Sequence, residues 1–221
     1  PYPSESIAFK AKKYIDRNTS EQFSLIEKRD NLAFLITEKE GSIYAKSFWQ
    51  HTGLGISSRA AAIELGLEDC PPKSYVDECS QRIKNRISKS TKINSNDIHL
   101  TSSGMSAVFT IFMSYLKKGD RIVAGRALFG SCHYILTRIL PKFGIEVELI
   151  DGKDLDCWEK ALRRKTSMIF FETPSNPCLE LTDIKQVSRL AKRKGALVVV
   201  DNVFATSIYQ KPLKLGADIV F

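Results

Sequence analysis

Four short segments of this chain combine small, aromatic and polar residues that could bind a ligand. They are residues 101–106, 128–131, 171–177 and 200–204. In the first, Thr101-Ser-Ser-Gly-Met-Ser106, small residues stand where a helix is predicted to begin, so consecutive backbone amides could point at one anion. The alternative is an ordinary N-cap followed by a tight turn. The two commonest nucleotide-binding patterns, GxGxxG and GxxxxGK[ST], are absent.

Each of the other three segments offers a different chemical group. Phe129 precedes a predicted helix and could lie flat on a planar ligand, although a lone aromatic residue is more often part of a core. Segment 171–177 holds a carboxylate, a hydroxyl and the Asn176 amide between two prolines at the end of a predicted strand. Asp201 ends the most hydrophobic strand, where a buried carboxylate needs a cation or strong hydrogen bonds. Together and in this order, the four segments indicate a pyridoxal phosphate site.

From about residue 97 onward, short β-rich runs alternate with helical stretches. This alternation predicts an α/β domain built of βαβ units around a mainly parallel sheet. The continuous apolar run at 197–200 is typical of a strand buried on both faces. Ligands bind at the carboxyl ends of such strands, which is where the four segments fall. The pattern predicts strands at 98–100, 121–124, 147–150, 168–171, 197–200 and 218–221, and helices at 104–116, 131–140, up to about 163, and 183–194.

Residues 1–96 are less regular. They are predicted to form an N-terminal extension, helical with short strands, that packs on the core or on a partner subunit. Residues 97–221 are predicted to form a partial cofactor-binding α/β domain. Within the extension we expect a helix over 6–17 capped by Ser4, strands at 33–36 and 43–45, and helices near 59–67 and 75–88.

The composition is that of an ordinary globular protein. Its 221 residues are 43% hydrophobic and 26% charged, which excludes fibrous, low-complexity and disulfide-scaffold proteins. No apolar run reaches the roughly 18–20 residues that span a bilayer, and residues 1–30 do not resemble a secretory signal. We therefore expect a cytoplasmic protein that does not bind membranes. Five irregularly spaced cysteines, without CxxC pairs, predict reduced thiols and no metal site.

The net charge of +8 indicates small anionic ligands rather than nucleic acid. The lysines and arginines are scattered and fall late in the predicted helices, where cations complement the helix dipole. We therefore expect no nucleic-acid partner.

Five motifs relate the chain to a known family. They are Ser103-Gly-Met-Ser-Ala107, Leu128-Phe-Gly-Ser131, Glu172-Thr-Pro-Ser-Asn-Pro177, Val200-Asp-Asn-Val-Phe204 and Leu215-Gly-Ala-Asp218. With these motifs, residues 97–221 closely resemble the Cys/Met-metabolism group of fold-type I pyridoxal phosphate enzymes. The resemblance implies an aspartate aminotransferase-like α/β large domain. Residues 126–132 and 201–206 are most similar to O-succinylhomoserine sulfhydrylases, whereas residues 47–59 are more similar to fungal cystathionine γ-synthases.

The resemblance implies a role for five residues of the second half. The amides of Gly104 and Met105 would hold the phosphate of pyridoxal 5'-phosphate. Phe129 would stack on the pyridine ring, where many relatives have a tyrosine. Asn176 would contact the ring 3-oxygen, and Asp201 would keep the ring nitrogen protonated.

Two further features of the family bear on this chain. Arg59 matches the arginine of a Tyr-x-Arg pair that reaches the phosphate across a dimer interface, although Ser57 stands at the tyrosine position. The alternative for Arg59 is a solvent-facing residue at a helix start. The family's Schiff-base lysine follows the strand that matches 218–221, and this chain stops before it. We therefore expect a truncated chain with no catalytic residue, no C-terminal domain and no turnover on its own.

The function implied by the resemblance is transsulfuration in methionine biosynthesis. The chain would be the N-terminal portion of an enzyme that replaces the acyl group of an O-acyl-L-homoserine with a thiol or sulfide. Cystathionine γ-synthase and O-succinylhomoserine sulfhydrylase activities both stay open, and the enzyme is expected to be a homo-oligomer. The alternative is a non-catalytic pseudoenzyme of the same fold that acts through dimerisation.

Overall fold

The structure, a computed structural model, describes residues 2–19, 24–29, 32–55, 63 and 71–221. The chain divides into two compact units, residues 1–107 and residues 108–221. The first unit combines helices with a β-hairpin, and the second is an α/β unit.

The chain begins with helix α1, Glu5–Ile15, as the sequence predicts. The Ser4 side chain accepts a hydrogen bond from the backbone N–H of Ile7 at 3.4 Å, which satisfies one of the free donors of the first turn. Ala8, Ala11, Tyr14 and Ile15 form the buried face of the helix. This spacing follows the helical repeat, so one side of α1 packs inward and the other faces solvent.

A hairpin and a second helix complete the first part of this unit. Strands β1, Ser24–Arg29, and β2, Leu32–Thr37, pair in antiparallel fashion, with Leu25 opposite Ile36. Strand β2 confirms the prediction at 33–36, whereas β1 was not predicted.

The strand predicted at 43–45 is wrong, because these residues lie inside helix α2, Lys39–Thr52. Gly41, Phe48 and Thr52 are buried along α2, and Tyr44 and Ala45 are half-buried between them. This is the periodicity of a helix rather than a strand. The Phe48 ring lies 5.5 Å from the ring of Tyr14, which ties α2 to α1.

Helix α3, Lys73–Thr91, confirms the helix predicted at 75–88. The helix predicted near 59–67 lies outside the described residues, apart from Ile63. The strand predicted at 98–100 is wrong, because these residues follow a short 3₁₀ turn, Ser95–Asp97, without regular structure. Only Ile98 of that run is buried, and no strand among the described residues pairs with its backbone.

The second unit is built on a five-stranded sheet in which every neighbouring pair is parallel, as predicted. The strand order is β4-β3-β5-β6-β7. Continuous burial along β3 and β5 agrees with their mostly apolar sequences, in which only Arg121 and Glu172 carry a charge. The strands are β3, Arg121–Gly125; β4, Glu146–Ile150; β5, Met168–Glu172; β6, Leu197–Asp201; and β7, Ile219–Val220.

Helices connect these strands. The predicted helix at 131–140 is irregular, because α5 passes into a π-helical turn, Ile135–Ile139, and then a 3₁₀ turn, Leu140–Phe143. None of the described helices is both long and apolar enough to cross a membrane. The helices are α4, Gly104–Tyr115; α5, Gly130–Tyr134; α6, Leu155–Ala161; α7, Ile184–Arg193; α8, Thr206–Tyr209; and α9, Pro212–Leu215.

The two faces of the sheet are covered by different helices. On one face, Trp158 of α6 and Val187 of α7 pack against a cluster that includes Phe171 and Val200 of the strands. On the other face, the ring of Phe112 of α4 meets the ring of Phe170 edge-on, with 5.1 Å between centroids. The Phe221 ring stacks on Phe170 at 6.0 Å. Alternate residues of β5 therefore belong to two separate cores.

The strand order defines where a ligand can bind. The chain passes from β3 to its neighbour β4 on one side, whereas it passes from β5 to β6 on the other. The connections that leave β3 and β5 therefore diverge, which opens a crevice at the carboxyl ends of these strands. All five strands end on the same side of the sheet, and we call this side the carboxyl edge.

We predict that Phe170→Ala lowers the free energy of unfolding by about 3–5 kcal/mol, because it removes a fully buried ring between two aromatic neighbours. Tyr209→Ala is the matched control, since Tyr209 is 87% exposed, and its effect should be below about 0.5 kcal/mol. Urea unfolding followed by circular dichroism measures both values. Equal effects of the two substitutions would contradict the assigned core.

Candidate functional site

Two buried carboxylates lie side by side at the carboxyl edge. Strands β5 and β6 pair so that Glu172 is opposite Asp201. Because Phe171 and Val200 belong to the core beneath α6 and α7, the alternation of side chains directs Glu172 and Asp201 to the opposite face of the sheet. They are 4% and 5% exposed. The crevice at the switch in strand order is therefore acidic.

Asp201 has no counter-charge in the part of the chain that the structure describes. Its Oδ1 accepts a hydrogen bond from the backbone N–H of Val203 at 3.0 Å, and no described lysine, arginine or histidine forms an ion pair with it. Burial raises the pKa of Asp201 to about 6, although the Val203 bond opposes this rise. An uncompensated buried carboxylate favours binding of a cation.

Glu172 joins two loops of the crevice. Its Oε2 accepts a hydrogen bond from the backbone N–H of Phe129 at 2.8 Å, and the backbone N–H of Asn176 donates to the same carboxylate. Burial raises the pKa of Glu172 to about 7, the Phe129 and Asn176 bonds oppose this rise, and the charge of Asp201 adds to it. The sequence predicts a functional carboxylate in segment 171–177, which is Glu172, but no specific role for it. Its position at the end of a buried strand, as for Asp201, was the available signal.

Phe129 lies at the start of α5 with its backbone held and its ring accessible. The residue directly precedes Gly130, the first residue of α5, and 43% of it is exposed. A ring with this exposure is not a core residue of the second unit. The predicted stacking role is compatible with this position and stays a prediction.

Asn176 lies in a loop that is fixed by its own hydrogen bonds. Thr173 Oγ1 accepts from the backbone N–H of Thr182 at 3.0 Å, and Ser175 Oγ accepts from that of Glu180 at 3.1 Å. Asn176 itself is half-buried, and its side-chain amide forms no hydrogen bond within the described ranges. That amide is available to a ligand, as its predicted contact with a ring oxygen requires.

A cysteine next to the two carboxylates stays a neutral thiol. Cys132 of α5 is buried, and burial raises the pKa of its thiol well above the usual range, with further contributions from the charges of Asp201 and Glu172. A protonated, buried thiol is a poor nucleophile. The acidity of the crevice therefore comes from Glu172 and Asp201, and Cys132 does not add to it.

The first unit contains the predicted phosphate-binding amides, at the start of α4. Ser103 caps this helix, since its Oγ accepts from the backbone N–H of Ser106 at 3.1 Å and its carbonyl from that of Ala107 at 3.0 Å. Within the described ranges, the N–H groups of Gly104 and Met105 have no partner. A Cβ on Gly104 would meet nothing within 4 Å. Two N–H groups without a described partner at a helix start suit an anion, so this prediction agrees with the local geometry.

Gly53 allows the end of α2 to approach the start of α4. It follows α2 in the left-handed conformation, with φ of 62°. A Cβ at this position would lie 2.3 Å from Ser103 Oγ and 2.9 Å from the backbone nitrogen of Ser106. Any other residue would displace the cap of α4. No sequence pattern indicates this role of Gly53, because the contact joins segments about fifty residues apart.

The predicted site residues thus fall into three groups. Phe129, Asn176 and Asp201 belong to the carboxyl edge of the second unit, and Gly104 and Met105 belong to the first unit. Arg59 lies outside the described residues, as does Ser57, so the predicted contact with the phosphate stays a prediction.

Comparison with known proteins identifies the family. Residues 81–221 match the family model described as "Cys/Met metabolism PLP-dependent enzyme". The chain therefore belongs to this family of pyridoxal phosphate-dependent enzymes. An O-succinylhomoserine sulfhydrylase of Mycobacterium tuberculosis is 52% identical over 120 residues, which are 54% of this chain and 30% of the relative. An O-succinylhomoserine sulfhydrylase of Pseudomonas aeruginosa is 44% identical over 120 residues, with the same coverage of both chains.

Solved structures agree with the fold. The crystal structure of metB from Corynebacterium glutamicum matches with a TM-score of 0.52 and 39% identity, and covers 54% of this chain and 31% of the other. A cystathionine gamma-lyase from Lactobacillus plantarum, complexed with L-serine, matches with a TM-score of 0.50 and 37% identity over 52% of this chain and 30% of the other. The matched part of this chain thus spans about a third of these relatives. The predicted α/β fold and pyridoxal phosphate as the cofactor are confirmed.

The residues of the second unit fit this cofactor. A buried carboxylate without a counter-ion suits a protonated pyridine nitrogen, and the accessible Phe129 ring suits a planar ligand. In the first unit, the free amides of Gly104 and Met105 suit a phosphate. Within the second unit, the Asp201 carboxylate and the Phe129 ring thus match different parts of the cofactor.

The raised pKa of Asp201 predicts how stability depends on pH without added cofactor. The folded state retains a proton that the unfolded chain releases, so the free energy of unfolding falls as pH rises from about 4 to about 6. Glu172, whose pKa is also raised, causes a further fall up to about pH 7. Asp201→Asn should therefore remove only the part of the fall that Asp201 causes, and stabilise the protein by about 2–3 kcal/mol at pH 7.5. Urea unfolding between pH 4.5 and 7.5 measures the difference between the two proteins. A difference that does not change with pH would contradict the prediction. Asp156→Asn, an exposed control, should differ from the original protein by less than about 1 kcal/mol.

The contact of Gly53 with the cap of α4 predicts a second effect on stability. Gly53→Ala combines a left-handed backbone with a steric clash, so it should cost clearly more than the approximately 1 kcal/mol expected for the backbone conformation alone. Gly195→Ala is the control, because Gly195 has φ of 71° but its Cβ would meet nothing within 4 Å. Thermal and urea unfolding of the two variants measure the costs. Equal costs would mean that the approach of Gly53 to Ser103 is not tight.

Proposed function

We propose that this chain provides the cofactor-binding portion of a transsulfuration enzyme that acts on an O-acyl-L-homoserine. The observation that carries the proposal is the buried carboxylate of Asp201, which has no described counter-ion and ends a strand of a pyridoxal phosphate family fold. The reaction we favour is that of the sulfhydrylases named above, in which a sulfide replaces succinate at the γ-carbon of O-succinyl-L-homoserine. The 52% identity to one such enzyme supports this choice over cystathionine formation.

The cofactor, when bound, supplies a ring that accepts electrons from the substrate carbon. Asp201 would hold positive charge at the ring nitrogen, which keeps the ring electron-poor. Phe129 would cover one face of the ring and exclude water from it. Because Phe129 has no hydroxyl group, it cannot move a proton, whereas the tyrosine of many relatives could. Gly104 and Met105 would donate their backbone N–H groups to the phosphate.

We predict that the chain binds pyridoxal phosphate reversibly and that Asp201→Ala weakens this binding about 10-fold or more. The reason is that the substitution removes the negative charge beside the ring nitrogen, which is worth more than one neutral hydrogen bond. Absorbance titration with pyridoxal phosphate measures both dissociation constants. Asp156→Ala is the matched control, since Asp156 is an exposed carboxylate on α6, and it should bind as the original protein does. Identical titrations of the original protein and Asp201→Ala would remove the site assignment.

The substrate is tested on the whole protein with pyridoxal phosphate. O-Succinyl-L-homoserine and O-acetyl-L-homoserine are each offered with sulfide and with L-cysteine, and the products are separated by chromatography. Homocysteine and succinate from the first substrate with sulfide would support the proposal. Cystathionine as the main product would assign the synthase activity instead. A whole protein that binds the cofactor and forms neither product would refute the proposed activity.

A further inference from the structure

Glu172 links the two loops that carry predicted cofactor contacts. One carboxylate receives the backbone N–H of Phe129, at 2.8 Å, and the backbone N–H of Asn176. Phe129 begins the α5 connection that leaves β3, whereas Asn176 belongs to the loop that leaves β5. The two bonds therefore span the crevice between the diverging connections.

The bonds are buried and difficult to replace. Glu172 is 4% exposed, so water could not readily satisfy either N–H group if the carboxylate were removed. The described part of the chain offers no other side-chain acceptor to the N–H of Phe129. Loss of a buried acceptor leaves its donors unsatisfied, and each such donor costs about 1–3 kcal/mol.

We propose that Glu172 is a positioning residue, which holds Phe129 and Asn176 at the places where they contact the cofactor. This inference rests on the proposed function, because it concerns the same pyridoxal phosphate site. Glu172 acts through its acceptor oxygen on two backbone donors and not through a contact of its own with the ring. A glutamine, whose side-chain oxygen accepts the same bonds, therefore replaces it.

The register of the sheet explains why a neutral hydrogen-bond acceptor is favourable at position 172. Glu172 lies opposite Asp201, and two negative charges in one buried pair repel each other. Asp201 has to be ionised to hold a cationic ring nitrogen. A neutral acceptor beside it holds the loops without adding a second buried charge.

The first test is the exchange of backbone amide hydrogens in protein without cofactor, measured by NMR. In Glu172→Ala, the amides of Phe129 and Asn176 should exchange about 10-fold faster than in the original protein, since each loses a buried bond. In Glu172→Gln, the rates should stay within about threefold of the original. Glu159→Ala, which removes an exposed carboxylate on α6, should change neither amide. Unchanged exchange in Glu172→Ala would overturn the inference whether or not cofactor binds.

The second test is the dissociation constant for pyridoxal phosphate. Glu172→Ala should raise it about 10-fold and Glu172→Gln by no more than about threefold. If Glu172 acts through Phe129, then Glu172→Ala should cost much less in a Phe129→Ala background, because the ring to be positioned is already absent. Full additivity of the two substitutions, or equal losses in the alanine and glutamine variants, would overturn the inference.

The two tests separate this inference from the proposed function. An original protein that binds no pyridoxal phosphate would refute the proposed function and, with it, the cofactor contacts assigned to Phe129 and Asn176. Normal binding in the original protein, together with faster amide exchange but unchanged affinity in Glu172→Ala, would refute the positioning role alone. If Glu172→Ala does not fold, the amide exchange, affinity and melting temperature of Glu172→Gln decide the question, because a large loss in that variant contradicts the inference.

Discussion

The parallel pairing of β5 with β6 is the constraint on which the candidate site depends. It sets Glu172 opposite Asp201 at the end of two strands whose other residues are almost all buried. Both side chains are almost completely buried there, at the crevice where the connections from β3 and β5 diverge. The loops around them inherit this geometry, since Glu172 binds the backbone at both Phe129 and Asn176.

Much of the second unit was predictable because its strands have a simple chemical pattern. The runs at 168–171 and 197–200 are wholly apolar and are each followed by a carboxylate, and those at 121–124 and 147–150 are mostly apolar. The predicted ends of all four agree with the structure to within one residue. Short runs that mix apolar with polar residues were predicted less well. Residues 43–45 contain β-branched and aromatic side chains, but the burial of Phe48 and Thr52 follows a helical repeat over a longer window. Strand β1 was missed because its second half is charged.

The candidate site was predictable in part for a similar reason. Asp201 stands out in the sequence, because a carboxylate that ends the most apolar strand needs an explanation wherever it is found. Glu172 needs two further facts, namely the register with Asp201 and the contact with a backbone N–H 43 residues away. Gly53 is similar, since its importance arises from the approach of Ser103 and Ser106. Sequence patterns indicate local chemistry well, whereas contacts between distant segments can be identified only in the folded structure.

If the cofactor binds at Asp201 as proposed, a carboxylate without a counter-charge among the described residues would link the cofactor to the folding equilibrium. A ligand that binds only the folded state stabilises it by an amount that grows with ligand concentration over its dissociation constant, reaching about 2.7 kcal/mol at one hundred times that constant. A cationic ring at Asp201 also relieves the cost of burying that charge. Vitamin supply would then influence how much of the protein is folded in a cell, and pyridoxine in the growth medium would raise the yield of intact protein as well as its occupancy.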